Sequence, residues 1–191
     1  MANEQFDHWR VTANAVRLLS DAELLAEHSR CASAFALAVF AMEEVSKLIL
    51  HQWSSVVALS AARGINFHIQ KQSAVAHLLA APGIIEEINS KNLKSMKESE
   101  AAAILAKSIF ESVDNRWTQN SISGIVEKTK HISLYGDIGI ANTELSSASF
   151  HQEDVTKMSN RVKRSLPLLT NTNAMKVARA MYVAWLTPTE K

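Results

Sequence analysis

The sequence has few of the residues that break helices or cross-link chains. Three prolines and five glycines among 191 residues are too few for a turn-rich β fold, whereas alanine and leucine are plentiful. The single cysteine, Cys31, excludes an internal disulfide framework and a cysteine-based zinc site, and it fits a reducing compartment. These features predict one all-α domain that spans residues 1–191.

Neither the net charge nor the hydropathy of the chain suggests that the protein binds a polyanion through its overall charge or crosses a membrane. The net charge is +1, so nucleic acid would need a local basic patch. The longest apolar run, residues 31–42, is too short to span a bilayer. The first ten residues are polar and charged, unlike a signal peptide. We therefore expect a cytoplasmic protein with no membrane partner.

Apolar periodicity predicts a bundle of five to seven helices that is interrupted by a long ordered loop. The predicted helices cover about 6–27, 29–63, 66–80, 99–117, 151–167 and 173–185. The triplet "APG" at 81–83 predicts a break after the third helix. Residues 120–149 hold three of the five glycines and many serines, which predicts a loop or lid. The domain then consists of a core (6–119), this loop and C-terminal helices (150–186).

Charged residues interrupt the most apolar predicted helix, in the stretch "FAMEEVSKLILHQW". Glu43 and Lys47 are four residues apart and Glu44 and Lys47 are three apart, so both pairs can meet on one helix surface. A solvated salt-bridge stripe and a buried ion pair that sets helix register are the structural interpretations. The functional interpretation is that these residues line or brace a polar cleft.

The stretch "RGINFH" places Arg63 and His68 at a predicted helix–helix corner. Arginine can hold a phosphate by a forked contact, and histidine can act as a general acid or base near neutral pH. Together they could activate an RNA 2′-hydroxyl and stabilise the phosphorane, without a metal ion. Lys71 follows His68 by three residues and shares its helix face. The alternative is a helix-ending arginine beside an unrelated histidine and an ordinary polar face.

The stretch "EKTKHISLYGD", residues 127–137, lies within the predicted loop. We select Lys128, Tyr135 and Asp137 as candidate binding residues, because loop residues bind ligands disproportionately often. The same stretch also contains Lys130 and His131. The alternative is a solvated loop in which Tyr135 is a packing anchor.

A basic stretch, "RVKR" at 161–164, lies in the predicted C-terminal helices. A solvated face is the ordinary interpretation of such a stretch. A modest patch for the RNA backbone is the alternative.

Taken in order, these stretches resemble the AbiV-type abortive infection proteins of bacteria. The matching segments are "NAVRLLSDAELL", "RCASAFALAVFAMEEVSKLIL", "HIQK" and "KTKHISLYGD", which reach from the first helix to Asp137. Ser46 stands where the family usually has glycine, Ile69 where it often has lysine, and Gly136 where it has valine.

The resemblance implies a compact HEPN-like helical bundle that forms a homodimer. Many HEPN proteins are metal-independent ribonucleases in which two protomers bring an arginine and a histidine to one cleft, with four to six residues between the two in the sequence. Arg63 and His68 satisfy that spacing, so the resemblance implies catalytic roles for them, with the charges near Glu43 bracing the cleft. It implies no cofactor and no metal, RNA as a target, and a phage-encoded protein as an activator.

Two other functions remain open at this stage. A non-enzymatic protein of the same fold could bind a phage protein and sequester a host partner. A nucleotide-binding HEPN protein that works with a nucleotidyltransferase is the third hypothesis.

Overall fold

Every regular element in the described part of the chain is an α-helix. The computed structural model describes residues 7–54, 56, 64–90, 116–135 and 149–187. The helices are α1 (His8–Glu27), α2 (Cys31–Gln52), α3 (Phe67–Ser90), α4 (Arg116–Ile122), α5 (Ile125–Tyr135), α6 (Gln152–Leu168) and α7 (Thr172–Leu186). The predicted all-α bundle is thus confirmed. None of the described helices is long and apolar enough to cross a membrane.

Helix α2 lies at the centre of the bundle, where it contacts α1, α3, α5 and α6. Its alanines at positions 34, 38 and 41 are fully buried, and these small side chains let neighbouring helices approach closely. Larger buried side chains, such as Met42 and Ile49, fill the remaining space. One cluster of buried apolar residues joins six of the seven described helices. A charged side chain on the inward face of α2, such as that of Glu43, is therefore surrounded by other helices.

Helices α1 and α2 are joined by a tight three-residue connection. The N–H of Arg30 donates to the carbonyl of Leu25 at 2.9 Å, and the N–H of Ser29 donates to that of Ala26 at 3.0 Å. This pair of bonds is a Schellman motif, which requires a left-handed residue at the position of Ser29. Ser29 accordingly has a φ of 59°.

The predicted loop over 120–149 is wrong for its first half. Residues up to Tyr135 belong to α4 and α5, which are separated by a turn at Gly124 with a φ of 80°. The glycine stops one helix and lets the next begin, because a left-handed residue ends an α-helix. Residues 136–148 lie outside the described part of the chain.

Two further boundaries differ from the sequence prediction. Helix α3 continues through Pro82 to Ser90, although "APG" predicted a break. Buried neighbours such as Ala81 and Ile84 hold this part of α3 in the core, which offsets the lost hydrogen bond of the proline. Helix α2 ends at Gln52, with Trp53 as its C-cap, close to Ser54 and Ser55, where the sequence allowed a kink; residues 57–63 of the predicted second helix lie outside the described residues. The predicted helix over 99–117 lies almost entirely outside the described residues.

Candidate functional site

Glu43 is a carboxylate in the interior of the bundle. Its side chain is only 5% exposed, because α2 is covered on this side by α3 and α5. One oxygen, Oε1, accepts from Lys130 Nζ at 2.8 Å and from Gln72 Nε2 at 3.3 Å. The other, Oε2, lies 2.9 Å from His68 Nδ1. A buried carboxylate needs such partners, because an unpaired charge in the interior costs several kcal/mol.

Helix α5 contributes one turn of charged side chains to the same place. Glu127 and Lys130 are three residues apart, and Lys130 Nζ lies 2.8 Å from Glu127 Oε2. His131, one residue further along, contacts Glu127 Oε1 through Nε2 at 2.8 Å. Lys130 is 3% exposed and bridges the carboxylates of Glu127 and Glu43. Its ammonium therefore links α5 to α2.

Helix α3 contributes the third side of the site from its first two turns. His68 and Lys71 share a helix face, as their spacing predicts, and Lys71 Nζ lies 3.9 Å from Glu43 Oε2. Gln72 is fully buried and also donates through Nε2 to Glu127 at 2.8 Å. We call Glu43, His68, Lys71, Glu127 and Lys130 the charged cluster.

The charges of the cluster balance one another. Two carboxylates, Glu43 and Glu127, face two ammonium groups, Lys71 and Lys130. Burial alone would raise the pKa of the Glu127 carboxyl, but the hydrogen bond and charge of Lys130, helped by His68 and His131, lower that pKa below its ordinary value. Burial lowers the pKa of the Lys71 ammonium, and Glu43 opposes that change. The network therefore favours an ionised Glu127 in a site with little water.

His68 is the member of the cluster that reaches solvent, with 42% of its side chain exposed. Its Nδ1 faces the Glu43 carboxylate, so in the neutral ring Nδ1 carries the proton and donates it to Oε2. Nε2 then keeps its lone pair. A carboxylate that fixes the tautomer of a histidine in this way prepares the other nitrogen to accept a proton.

Two carboxylates and an imidazole are also a donor set for a divalent cation. One ligand atom each from Glu43, His68 and Glu127 lies within 4.8 Å of the others. The Lys130 ammonium, however, is 2.8 Å from both carboxylates and stands where such a cation would make its contacts. Lys130 thus supplies the positive charge between the carboxylates.

Glu44 and Lys47 form a separate pair on α2. Lys47 Nζ lies 2.5 Å from Glu44 Oε1, whereas Glu43 turns inward to α3 and α5. The expectation that Glu43 also meets Lys47 within one turn is therefore wrong, because the buried partners of Glu43 lie on other helices. Ser46 is fully buried and its hydroxyl donates to the carbonyl of Glu43 at 2.6 Å.

The structure brings together some of the residues selected from the sequence. Glu43, His68 and Lys71 meet in the charged cluster, whereas Lys128 is exposed on α5. Arg63, Asp137 and the side chain of Tyr135 lie outside the described residues.

The sequence analysis missed Glu127 and its partner Gln72, and it noted Lys130 without selecting it. Helical spacing was the available signal, because Glu127, Lys130 and His131 follow one another at i, i+3 and i+4. Treating that stretch as a loop concealed the shared face.

A family model matches the chain from the start of α1 almost to the end of α6. It is the HEPN model described as AbiV, and it covers residues 9–167. This range includes every member of the charged cluster. Searches of curated proteins and of solved structures find no significant match.

Proposed function

The chain belongs to the AbiV family of HEPN proteins, and we propose that it is an antiphage effector that cleaves RNA without a metal ion. One observation carries the chemical part of this proposal. The imidazole of His68 is partly exposed and is held at 2.9 Å by a buried carboxylate, Glu43. Cleavage of host or phage RNA would stop translation in the infected cell.

The proposed reaction is an attack of an RNA 2′-oxygen on the adjacent phosphorus. His68 Nε2 takes the 2′-hydroxyl proton, and the new P–O bond forms as the bond to the 5′-oxygen breaks. The departing 5′-oxygen takes a proton from the imidazolium or from a second copy of His68 in a dimer. The products are a 2′,3′-cyclic phosphate and a 5′-hydroxyl end.

Other residues have supporting roles in this proposal. Arg63, five positions before His68, would hold the phosphate by a forked contact. Lys71 contributes positive charge on the same helix face as His68. Lys130 holds the Glu43 carboxylate in place at 2.8 Å, so that Glu43 can orient the imidazole. Glu43 and Lys130 are thus positioning residues.

The test is cleavage of a labelled single-stranded RNA by purified protein in the presence of EDTA. We expect His68→Ala to reduce the rate roughly 100-fold or more, since general acid–base catalysis contributes about that much. Glu43→Gln should reduce the rate and also shift its pH profile, because the orienting charge is lost. His28→Ala is the matched control, since His28 is exposed at the end of α1, outside the cluster.

The product ends identify the reaction independently of the variants. Cyclic phosphate ends, and resistance of an RNA with a 2′-deoxy sugar at the cleaved position, would support the mechanism. Equal cleavage by wild type and His68→Ala, or no cleavage by either, would contradict it.

The charge balance of the cluster favours a second function, that of a non-enzymatic interaction protein. A buried network with two charges of each sign is able to have a purely structural role, in which it fixes the helices in register. Such a protein would bind a phage protein and sequester a host partner. The Arg63→Ala, His68→Ala double variant, if stably folded, should then still protect bacteria from phage. Loss of protection would favour the catalytic function.

We also propose that the protein acts as a homodimer. Helix α1 exposes three large apolar side chains along one side: Trp9 (78% exposed), Val16 (47%) and Leu24 (54%). These positions fall within about a quarter turn of one another around the helix. An exposed apolar stripe of this kind is typical of an interaction surface.

A further inference from the structure

A cavity whose lining includes no member of the charged cluster lies beside α5. It is a cavity of about 420 Å³ between α2, α4, α5 and α6. Val126 and Thr129 of α5 line it, whereas Glu127 and Lys130 of the same helix enter the charged cluster. The cavity is therefore a different site, and the proposed RNA chemistry does not use it.

The walls of this cavity are largely apolar and aromatic. Phe35 and Phe150 lie at its side with ring centroids 5.2 Å apart, and Met158 and Trp117 complete the apolar surface. Cavities of roughly 300–1,000 Å³ with apolar walls and a few polar groups are typical of small-molecule sites. The shape and chemistry suit a flat apolar group.

Arg161 gives the cavity a cation that has no acidic partner among the described residues. Its guanidinium carbon lies 4.8 Å from the centre of the Trp117 ring. Burial, together with the nearby charge of Arg164, lowers the pKa of Arg161 to about 10, so the guanidinium is still charged at neutral pH. A partly buried cation without a counter-charge is costly, and an anion would offset that cost.

The other charged groups around the cavity already have partners. Lys157 pairs with Glu153 at 2.7 Å on the surface. The Asp154 carboxylate accepts from the N–H of His151 at 3.0 Å, as part of the capping box of α6. Arg161 is thus the charged group of the cavity for which the described part of the chain offers no partner of opposite charge.

We propose that this cavity binds a small aromatic anion, that is, a flat apolar ring that carries one carboxylate or phosphate group. The anionic group accepts from the Arg161 guanidinium. The ring packs against Phe150 and its neighbours. A guanidinium offers several N–H donors in a planar fork, which suits a carboxylate or phosphate.

The experiment uses two probes, indole-3-acetate and phenyl phosphate, with full-length protein in isothermal titration calorimetry. Indole-3-acetamide is the neutral control for the first probe and inorganic phosphate is the ring-free control for the second. We expect at least one aromatic anion to bind at millimolar concentration or below, and both controls to bind about tenfold more weakly or worse. The preferred probe distinguishes a carboxylate ligand from a phosphate ligand.

Three variants locate the binding. Arg161→Met keeps an apolar stem on Trp117 but removes the charge, so it should weaken binding about tenfold or more. Trp117→Phe keeps an aromatic ring beneath the Arg161 guanidinium, so a smaller loss is expected. Lys176→Met removes an equal charge from an exposed position of α7, and it should bind as wild type does.

Three results would overturn the proposal: equal binding of the acid and its amide, unchanged binding by Arg161→Met, or no binding of either anion by the wild type. The comparison of acid with amide uses the wild-type protein alone. It therefore remains decisive if a variant fails to fold. Circular dichroism of each variant confirms the helical content.

Discussion

At the residue scale, a few buried polar groups depend on one another for charge compensation and hydrogen bonding. Glu43 and Lys130 are each exposed by 5% or less, and their contact of 2.8 Å joins α2 to α5. A pair of this kind contributes little beyond what well-packed apolar residues would, but the loss of one partner leaves a buried charge alone. Single and double substitutions should therefore behave differently.

We predict that Lys130→Met lowers the free energy of unfolding by about 3 kcal/mol, because Glu43 and Glu127 then lose their shared cation. The double variant Glu43→Gln, Lys130→Met should be more stable than the sum of the single effects implies. Urea unfolding followed by circular dichroism measures all of these values. Lys128→Met, on the exposed side of the same helix, should change stability by about 0.5 kcal/mol or less. Additive effects of the two substitutions would refute the coupling.

His77 is a fully buried histidine of α3, and burial lowers its pKa from 6.5 to about 4. The unfolded chain binds a proton at His77 below about pH 6.5, whereas the folded chain does not until about pH 4. The contribution of His77 to the free energy of unfolding should therefore be greatest above pH 6.5. It should fall by about 3 kcal/mol as the pH is lowered towards 4.

The measurement is urea unfolding of wild type and of His77→Phe between pH 7.5 and pH 4.5. The difference between the two curves isolates His77 from the carboxylates that titrate at lower pH. The phenylalanine variant should lose much of the pH dependence, whatever its absolute stability. An unchanged slope would show that the imidazole takes up its proton in the folded protein.

At the scale of elements, helix ends decide where the bundle turns. Ser29 is exposed and has a φ of 59° in the Schellman motif that ends α1. A side chain in this left-handed conformation costs about 1–2 kcal/mol, and glycine escapes that cost while losing some entropy on folding. Ser29→Gly should therefore stabilise the protein by about 0.5–1 kcal/mol in thermal or urea unfolding.

Ser29→Ala is the control for that prediction, because alanine has a β-carbon and gains nothing in the left-handed region. It should leave the midpoint of unfolding unchanged or lower it. If alanine stabilises as much as glycine does, then the loss of the hydroxyl, and not the backbone conformation, is responsible.

Local signals at the helix ends explain which helix boundaries the sequence predicted well. The starts of α6 and α7 agree with the prediction, and the side chain of Asn171 caps α7 by accepting from the N–H of Ala174 at 3.0 Å. The turn at Gly124 was mistaken for part of a loop, since glycine and serine are frequent both in loops and at the junction of two short helices. Pro82 was mistaken for a break, because its cost is offset by packing that no local pattern shows.

At the scale of the whole molecule, the exposed stripe of α1 leads to a prediction about assembly. We expect a dimer at micromolar concentration, and we expect Val16→Glu to shift it towards monomer in light scattering, because a charge in an apolar interface costs several kcal/mol. Asn173→Glu, which adds the same charge at an exposed position of α7, is the matched control. A wild-type protein that is monomeric under these conditions would remove the shared-cleft mechanism.

The sequence by itself determined the fold class and identified one member of the charged cluster, Glu43. Few glycines and prolines with helical apolar periodicity leave only an all-α fold, and charges within the most apolar helix mark Glu43 as unusual. Only the tertiary structure decided the partners of Glu43, which lie 25 residues away at His68 and 87 away at Lys130. The reason is that helical spacing shows which side chains share a face of one helix. Which faces of different helices meet depends on packing across the whole core.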